Sequence, residues 1–169
     1  MRKFLDALYD GAAALAASFL IGVLVMVMLS IFGRQFHFHV PGTDSYAGYL
    51  MASSGFLALA LTLKRGEHIR VTLLLAALQG RWKKSLELRA LAFASLLSGM
   101  FAYYSCKLAW QSRSFRDIST GSDATPLWIP QLGMAVGTVI LAIAFIDELV
   151  LEISGSRVQR SSAEALRNE

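Results

Sequence analysis

Groups that do chemistry are scarce in this sequence: its 169 residues include 3 His, 1 Cys and 12 Asp plus Glu. The lone cysteine, Cys106, excludes an internal disulfide and a CxxC redox pair, and at the end of an apolar run it reads as a small buried hydrophobe. His37 and His39 could supply two metal ligands, but no third ligand stands beside them and His68 falls across the membrane in the topology derived below. They are read as packing groups. No haem ligand pair, phosphate-cradling glycine loop or inverted repeat is present, so cofactor chemistry, hydrolysis and autonomous transport lack their usual residues. The 16 Lys plus Arg give a net charge of +4, yet no basic run is long enough to act as a nucleic-acid arm.

What is abundant is apolar sequence. Hydrophobic residues make up 55% and charged residues 17%, and the mean hydropathy is +0.51, beyond the range of ordinary soluble domains. Crossing the hydrocarbon takes about 20 apolar residues. Four charge-free runs meet that need: 11–33, 45–63, 90–106 and 124–146. The third is short, but Arg89 and Lys107 at its ends can extend their stems along it and lift their charges into the interface. Pro126 and Pro130 open the fourth, where a first helical turn tolerates proline, and Asp147 and Glu148 close it. Arg2 and Lys3 before the first run also fit a secretory signal, but the run is too long and lacks a small-residue cleavage site, so an uncleaved anchor is expected.

Lys and Arg set the orientation. Twelve lie on the side of the N-terminus, and four, Arg34, Lys107, Arg113 and Arg116, lie on the other. By the positive-inside rule both termini are cytoplasmic in a bacterial inner membrane. Tyr103, Tyr104, Trp110 and Trp128 are expected at the outer boundary, where amphipathic rings favour the headgroup region.

The connections differ in character. In the first outer loop Pro41 and Gly42 make a turn, and Thr43 or Asp44 can cap the second helix. In the inner connection Val71, Leu74, Leu75, Leu78, Trp82 and Leu86 recur at helical spacing, with Arg81, Lys83 and Lys84 among the basic residues. The pattern predicts an amphipathic helix over about 70–87, lying on the lipids of the inner leaflet or under a partner protein. The second outer loop, 107–128, carries Arg113, Arg116 and Asp117, and with Arg34 these are candidates for docking a soluble partner; a solvated linker is the alternative. Residues 154–169 form a polar cytoplasmic tail after a four-helix membrane domain over 1–153. Small residues four apart, Ala14, Ser18 and Gly22, Ser95 and Gly99, Gly133 and Gly137, are candidates for close helix packing. The expected fold class is therefore all-α integral membrane, with four transmembrane helices and an amphipathic interfacial helix between the second and third.

Several features together, the Pro41-Gly42 turn, the segment 66–71 (GEHIRV) after the second span and the segment 125–130 (TPLWIP) opening the fourth, resemble the small membrane subunit (Q, DctQ-like) of tripartite ATP-independent periplasmic, or TRAP, transporters. The resemblance covers roughly residues 5–150. It implies a complex with a large membrane subunit (M), which carries the substrate and sodium sites, and with a periplasmic substrate-binding protein (P) that captures an organic acid. The small subunit would brace the large one and offer part of the docking face, with no catalytic, cofactor or metal site of its own. The alternatives are a free-standing four-span adaptor or lipid-binding protein, and a membrane redox protein.

Overall fold

The computed structural model describes residues 2–38, 40–64, 81–121 and 123–154. They form four helices: α1 (Arg2–Gln35), α2 (Thr43–Lys64), α3 (Arg81–Phe115) and α4 (Trp128–Ile153). Each is long and apolar enough to cross a membrane, because each charge-free run extends into the charged residues that flank it. The chain runs up and down. We call the end holding the α1–α2 and α3–α4 connections the distal end, and the other the terminal end.

The helices stand in the order α1, α2, α4, α3, with each packed chiefly on its neighbour in that row. α2 and α4 are therefore central, and α1 and α3 form the two edges. The buried core joins Tyr9, Ala12 and Ala16 of α1, Leu57, Ala60 and Leu63 of α2, and Ile140, Leu141 and Ala144 of α4. Lipid tails are as apolar as leucine, so what holds such helices together is close contact and buried hydrogen bonds rather than expulsion of water. Both are present. Ser54 of α2 donates to the Ala16 carbonyl of α1 at 2.9 Å. At Gly137 an added Cβ would lie 2.6 Å from the Phe56 carbonyl carbon, and at Gly133 it would overlap the Ser53 side chain, so α2 and α4 meet backbone to backbone. Gly22 similarly admits the Leu50 side chain.

Gly99 does not behave this way. Nothing lies within 4 Å of a Cβ built there, and Ala14 and Ser18 are exposed, so among the described residues these positions close no helix contact. The stripe that seats α3 is Ser98, Ala102, Ser105, Ala109 and Ser112, all buried. Its alternating four- and three-residue steps are those of a helix–helix seam.

Three other expectations change. The third helix does not stop at Lys107: it runs on through Phe115, so the first nine residues of the expected outer loop are helical. Arg113 lies over the Trp128 ring, 5.4 Å from its centroid, which sets the level of α3 against α4. Counting at ~1.5 Å per residue, Tyr103 lies about 15 Å from Arg113 toward the terminal end, so Tyr103 and Tyr104 do not share the level of Trp128. Cys106, expected to be buried, is exposed on α3.

The expected interfacial helix falls largely outside the described residues: Val71, Leu74, Leu75 and Leu78 lie there, as does the tail beyond Ser154. Arg81, Trp82, Lys83 and Lys84 form the first turn of α3, continuous with the span rather than separate from it. At the terminal end, Lys64 pairs with Asp6 and sits 4.7 Å above the ring of Tyr9, tying α2 to α1.

Candidate functional site

The distal end gathers the residues expected to meet a partner, and local structure explains where each stands. Arg116 adopts a left-handed φ of 54°. Its N–H donates to the Arg113 carbonyl at 3.4 Å, and the Asp117 N–H donates to the Ser112 carbonyl at 3.0 Å. This is the paired Schellman closure of a helix C-terminus, with arginine where glycine is usual. Arg113, Arg116 and Asp117 thus sit on a defined helix end and not in a loose loop.

The chain then turns back on itself. Ile118 and Pro126 form an antiparallel bridge, Ser119 N–H donates to the Thr125 carbonyl at 2.8 Å, and Leu127 N–H donates to the Asp117 carbonyl at 3.0 Å. Pro126 therefore belongs to this hairpin, while Pro130 falls in the first turn of α4, where its missing N–H leaves no helical bond unmade.

A polar clasp fastens the hairpin to the start of α2. Tyr49 donates to Ser119 Oγ at 2.8 Å and approaches Asp123 Oδ2 at 3.3 Å. Ser119 in turn donates to Asp123 Oδ1 at 2.9 Å, and the hydroxyls of Thr125 and Tyr46 share a bond of 3.0 Å. Hydrogen bonds from Thr125 first, then Ser119 and Tyr49, hold the Asp123 carboxyl below the usual carboxylate range. Gly42 makes the close approach possible. Its φ is 82°, and a Cβ there would lie 2.6 Å from that of Asp123. α2 begins just after it, with Tyr46 N–H donating to the Gly42 carbonyl at 3.0 Å, so the turn itself starts the helix; the Asp44 carboxylate accepts from Ser30 instead.

Sequence reasoning did not find this clasp. Its members are tyrosines, small hydroxyl residues and one aspartate spread over more than seventy positions, and only the Pro41-Gly42 and Thr125-Pro126 pairs marked its ends.

Arg34 stands apart from the other candidate charges. It belongs to the α1–α2 edge, where it pairs with Asp44 at 3.9 Å across a solvent-exposed gap, a contact worth little on its own. A cleft of ≈ 440 Å³ opens there, with Arg34, His37 and Asp44 in its wall. Arg113, Arg116 and Asp117 occupy the opposite, α3–α4 edge, so the four candidates frame the distal surface and do not converge on one point. Among the described residues no cluster of three or more His, Cys, Asp or Glu could hold a metal ion.

Four helices in this order, with an ordered distal face and close-packed central helices, coincide with a family match. The family model of the DctQ component of tripartite ATP-independent periplasmic transporters matches residues 23–155. No curated protein matches the chain. The matched stretch takes in α2, α3, α4 and the distal part of α1, and the chain belongs to the DctQ family, the small component of tripartite ATP-independent periplasmic transporters.

Proposed function

We propose that this multi-pass membrane protein is the bracing and docking subunit of a sodium-driven transporter for organic acids in a bacterial inner membrane. It stiffens the fixed part of the large membrane subunit, and its distal face helps to seat the periplasmic substrate-binding protein. The family match over residues 23–155 carries this reading.

Physical arguments support it. A coupling or substrate site at mid-membrane usually retains Asp, Glu, Lys, Arg or His side chains or broken helices. Here the described helices are continuous, and their acidic residues stand toward their ends. Backbone contact between α2 and α4 leaves a rigid slab and little room for a permeation path. The twelve-to-four division of Lys and Arg supports cytoplasmic termini, which makes the distal end periplasmic.

Reconstitution into liposomes with a sodium gradient tests the proposal. The chain alone should take up nothing, whereas the full set with the large subunit and the binding protein should accumulate substrate. Gradient-driven uptake by this chain alone, or full activity of the large subunit and binding protein without it, would overturn the reading.

A further inference from the structure

We infer that the outward face of α3, built around Lys107, Tyr103 and Tyr104, is the surface that packs on the large membrane subunit, and that Lys107 meets a carboxylate there. The inference rests on the assembly proposed above and adds which helix makes the contact and by what chemistry.

Depth is the first observation. Arg113 over the Trp128 ring and a cleft shared by Leu97, Phe101, Leu141 and Phe145 fix the antiparallel register of α3 and α4. From Trp128 to Asp147, α4 covers about 28 Å, the thickness of the hydrocarbon. Along the same register Lys107 lies about 9 Å below Arg113, and Tyr103 about 15 Å below it, near the middle of the apolar layer.

Direction is the second. These side chains stand opposite the buried stripe of Ser98, Ala102, Ser105 and Ala109, and point away from the bundle. Lys107 is exposed, Tyr103 is 64% exposed and Tyr104 56%. Within the chain, among the described residues, neither tyrosine hydroxyl nor the ammonium has a hydrogen-bond partner. The two rings brace each other edge to face, with centroids 5.4 Å apart.

Lipid tails can satisfy none of these groups. Because α3 runs on past Lys107, that lysine is no longer the span end from which its charge was expected to reach the interface: its stem spans roughly 6 Å, short of the 9 Å or so to the level of Arg113, and a tyrosine at mid-depth cannot reach it at all. α1 is the contrast: its exposed face of Leu20, Ile21, Leu24, Val25 and Met28 is wholly apolar and suits lipid. A second copy of this chain is a poor occupant for the α3 face, since a two-fold contact would set Lys107 against its own image. A different membrane protein presenting an acid and hydrogen-bond acceptors fits the charge and the hydroxyls together, and in this assembly that protein is the large subunit.

The test is co-purification of the tagged chain with its large subunit in mild detergent. Lys107→Leu should lower recovery of the large subunit by about tenfold or more, because it strands a buried carboxylate. Lys107→Arg should keep most of it, Tyr103→Phe with Tyr104→Phe should reduce it less, and Leu24→Ala on α1 should leave it unchanged. Folding is controlled separately in a Cys106→Ser background: a cysteine at Met100, on the same face, should be shielded from a lipophilic maleimide in the complex, and one at Leu24 should stay reactive. If the wild-type chain does not bring down the large subunit, the assembly itself fails. If it does, but Lys107→Leu and the double Phe variant match it and Met100→Cys stays reactive, only the assignment to α3 fails. A disulfide-linked dimer of Met100→Cys chains would assign the face to a second copy and also overturn it.

Discussion

At the scale of single residues, the distal face depends on two backbone positions and one carboxylate. Arg116 holds a left-handed conformation that costs a side-chain-bearing residue about 1–2 kcal/mol relative to the right-handed form. Arg116→Gly should therefore raise stability by up to roughly 1 kcal/mol, read as a higher unfolding midpoint in detergent, while the Schellman bonds persist. Gly42 is the converse case. Any side chain there meets both a positive φ and Asp123, so Gly42→Ala should detach the hairpin from α2 and lower the midpoint. Asp123 makes the clasp pH-dependent. Its folded-state carboxyl titrates below the unfolded value because Thr125, Ser119 and Tyr49 stabilise its charge. The contribution is thus complete above the unfolded carboxylate pKa of about 4 and is lost as pH falls through the lower folded value. Midpoints of the wild type and of Asp123→Asn, measured from pH 7 down to 3, should converge in acid; a constant gap would show that Asp123 titrates outside the clasp.

At the scale of helices, close approach discriminates between glycines that look alike in sequence. Gly137→Val should force α2 and α4 apart, at the upper end of the ~1–3 kcal/mol cost of overpacking or beyond it, because the atoms it meets are backbone and cannot swing aside. Gly99→Ala should change stability by no more than about 0.5 kcal/mol, since open space surrounds it. A thermal-shift comparison of the two variants checks both. That contrast marks the limit of what the sequence reveals. Four helices could be read from it because uncharged runs of membrane length have few other meanings. The helix ends could not, since the bonds that close α3 at Arg116 and carry α1 out to Gln35 form inside residues that also suit loops. The small-residue pattern treats Gly99 like Gly133 and Gly137, whereas a Cβ would meet α2 at the latter two and nothing within 4 Å at the first. The true seam of α3, Ser98 to Ser112, has mixed four- and three-residue steps that a search at fixed spacing of four passes over. The level of Lys107 and Tyr103 was hidden for a related reason: it depends on how far α3 slides along α4, which is set by contacts between distant residues and not by either segment alone.

At the scale of the whole molecule, the row α1, α2, α4, α3 gives the slab two unlike edges and one ordered distal face, and its orientation decides which solution that face meets. A reporter active only in the periplasm should be silent when fused after Glu169 and active when inserted at Gly121, in the hairpin; the reverse result would turn the molecule over and remove the docking role. Given that orientation, Arg113 and Arg116 are the distal charges placed to act on an approaching protein, because the Schellman turn and the Trp128 ring fix their position. Arg34 stands on the other edge, beside Asp44. Charges at the rim of an interface mainly steer encounter and set its salt dependence. The double reversal Arg113→Glu with Arg116→Glu should therefore slow uptake by the full transporter most at low binding-protein concentration and low ionic strength. With the binding protein in excess, the maximal rate should approach that of the wild type, provided that α3 and α4 keep their register without the Arg113–Trp128 contact. Uptake measured over a range of binding-protein concentrations separates the cases. A uniform loss at every concentration would mean that the reversals disturb assembly rather than encounter, and no loss at any concentration would remove both arginines from the docking face.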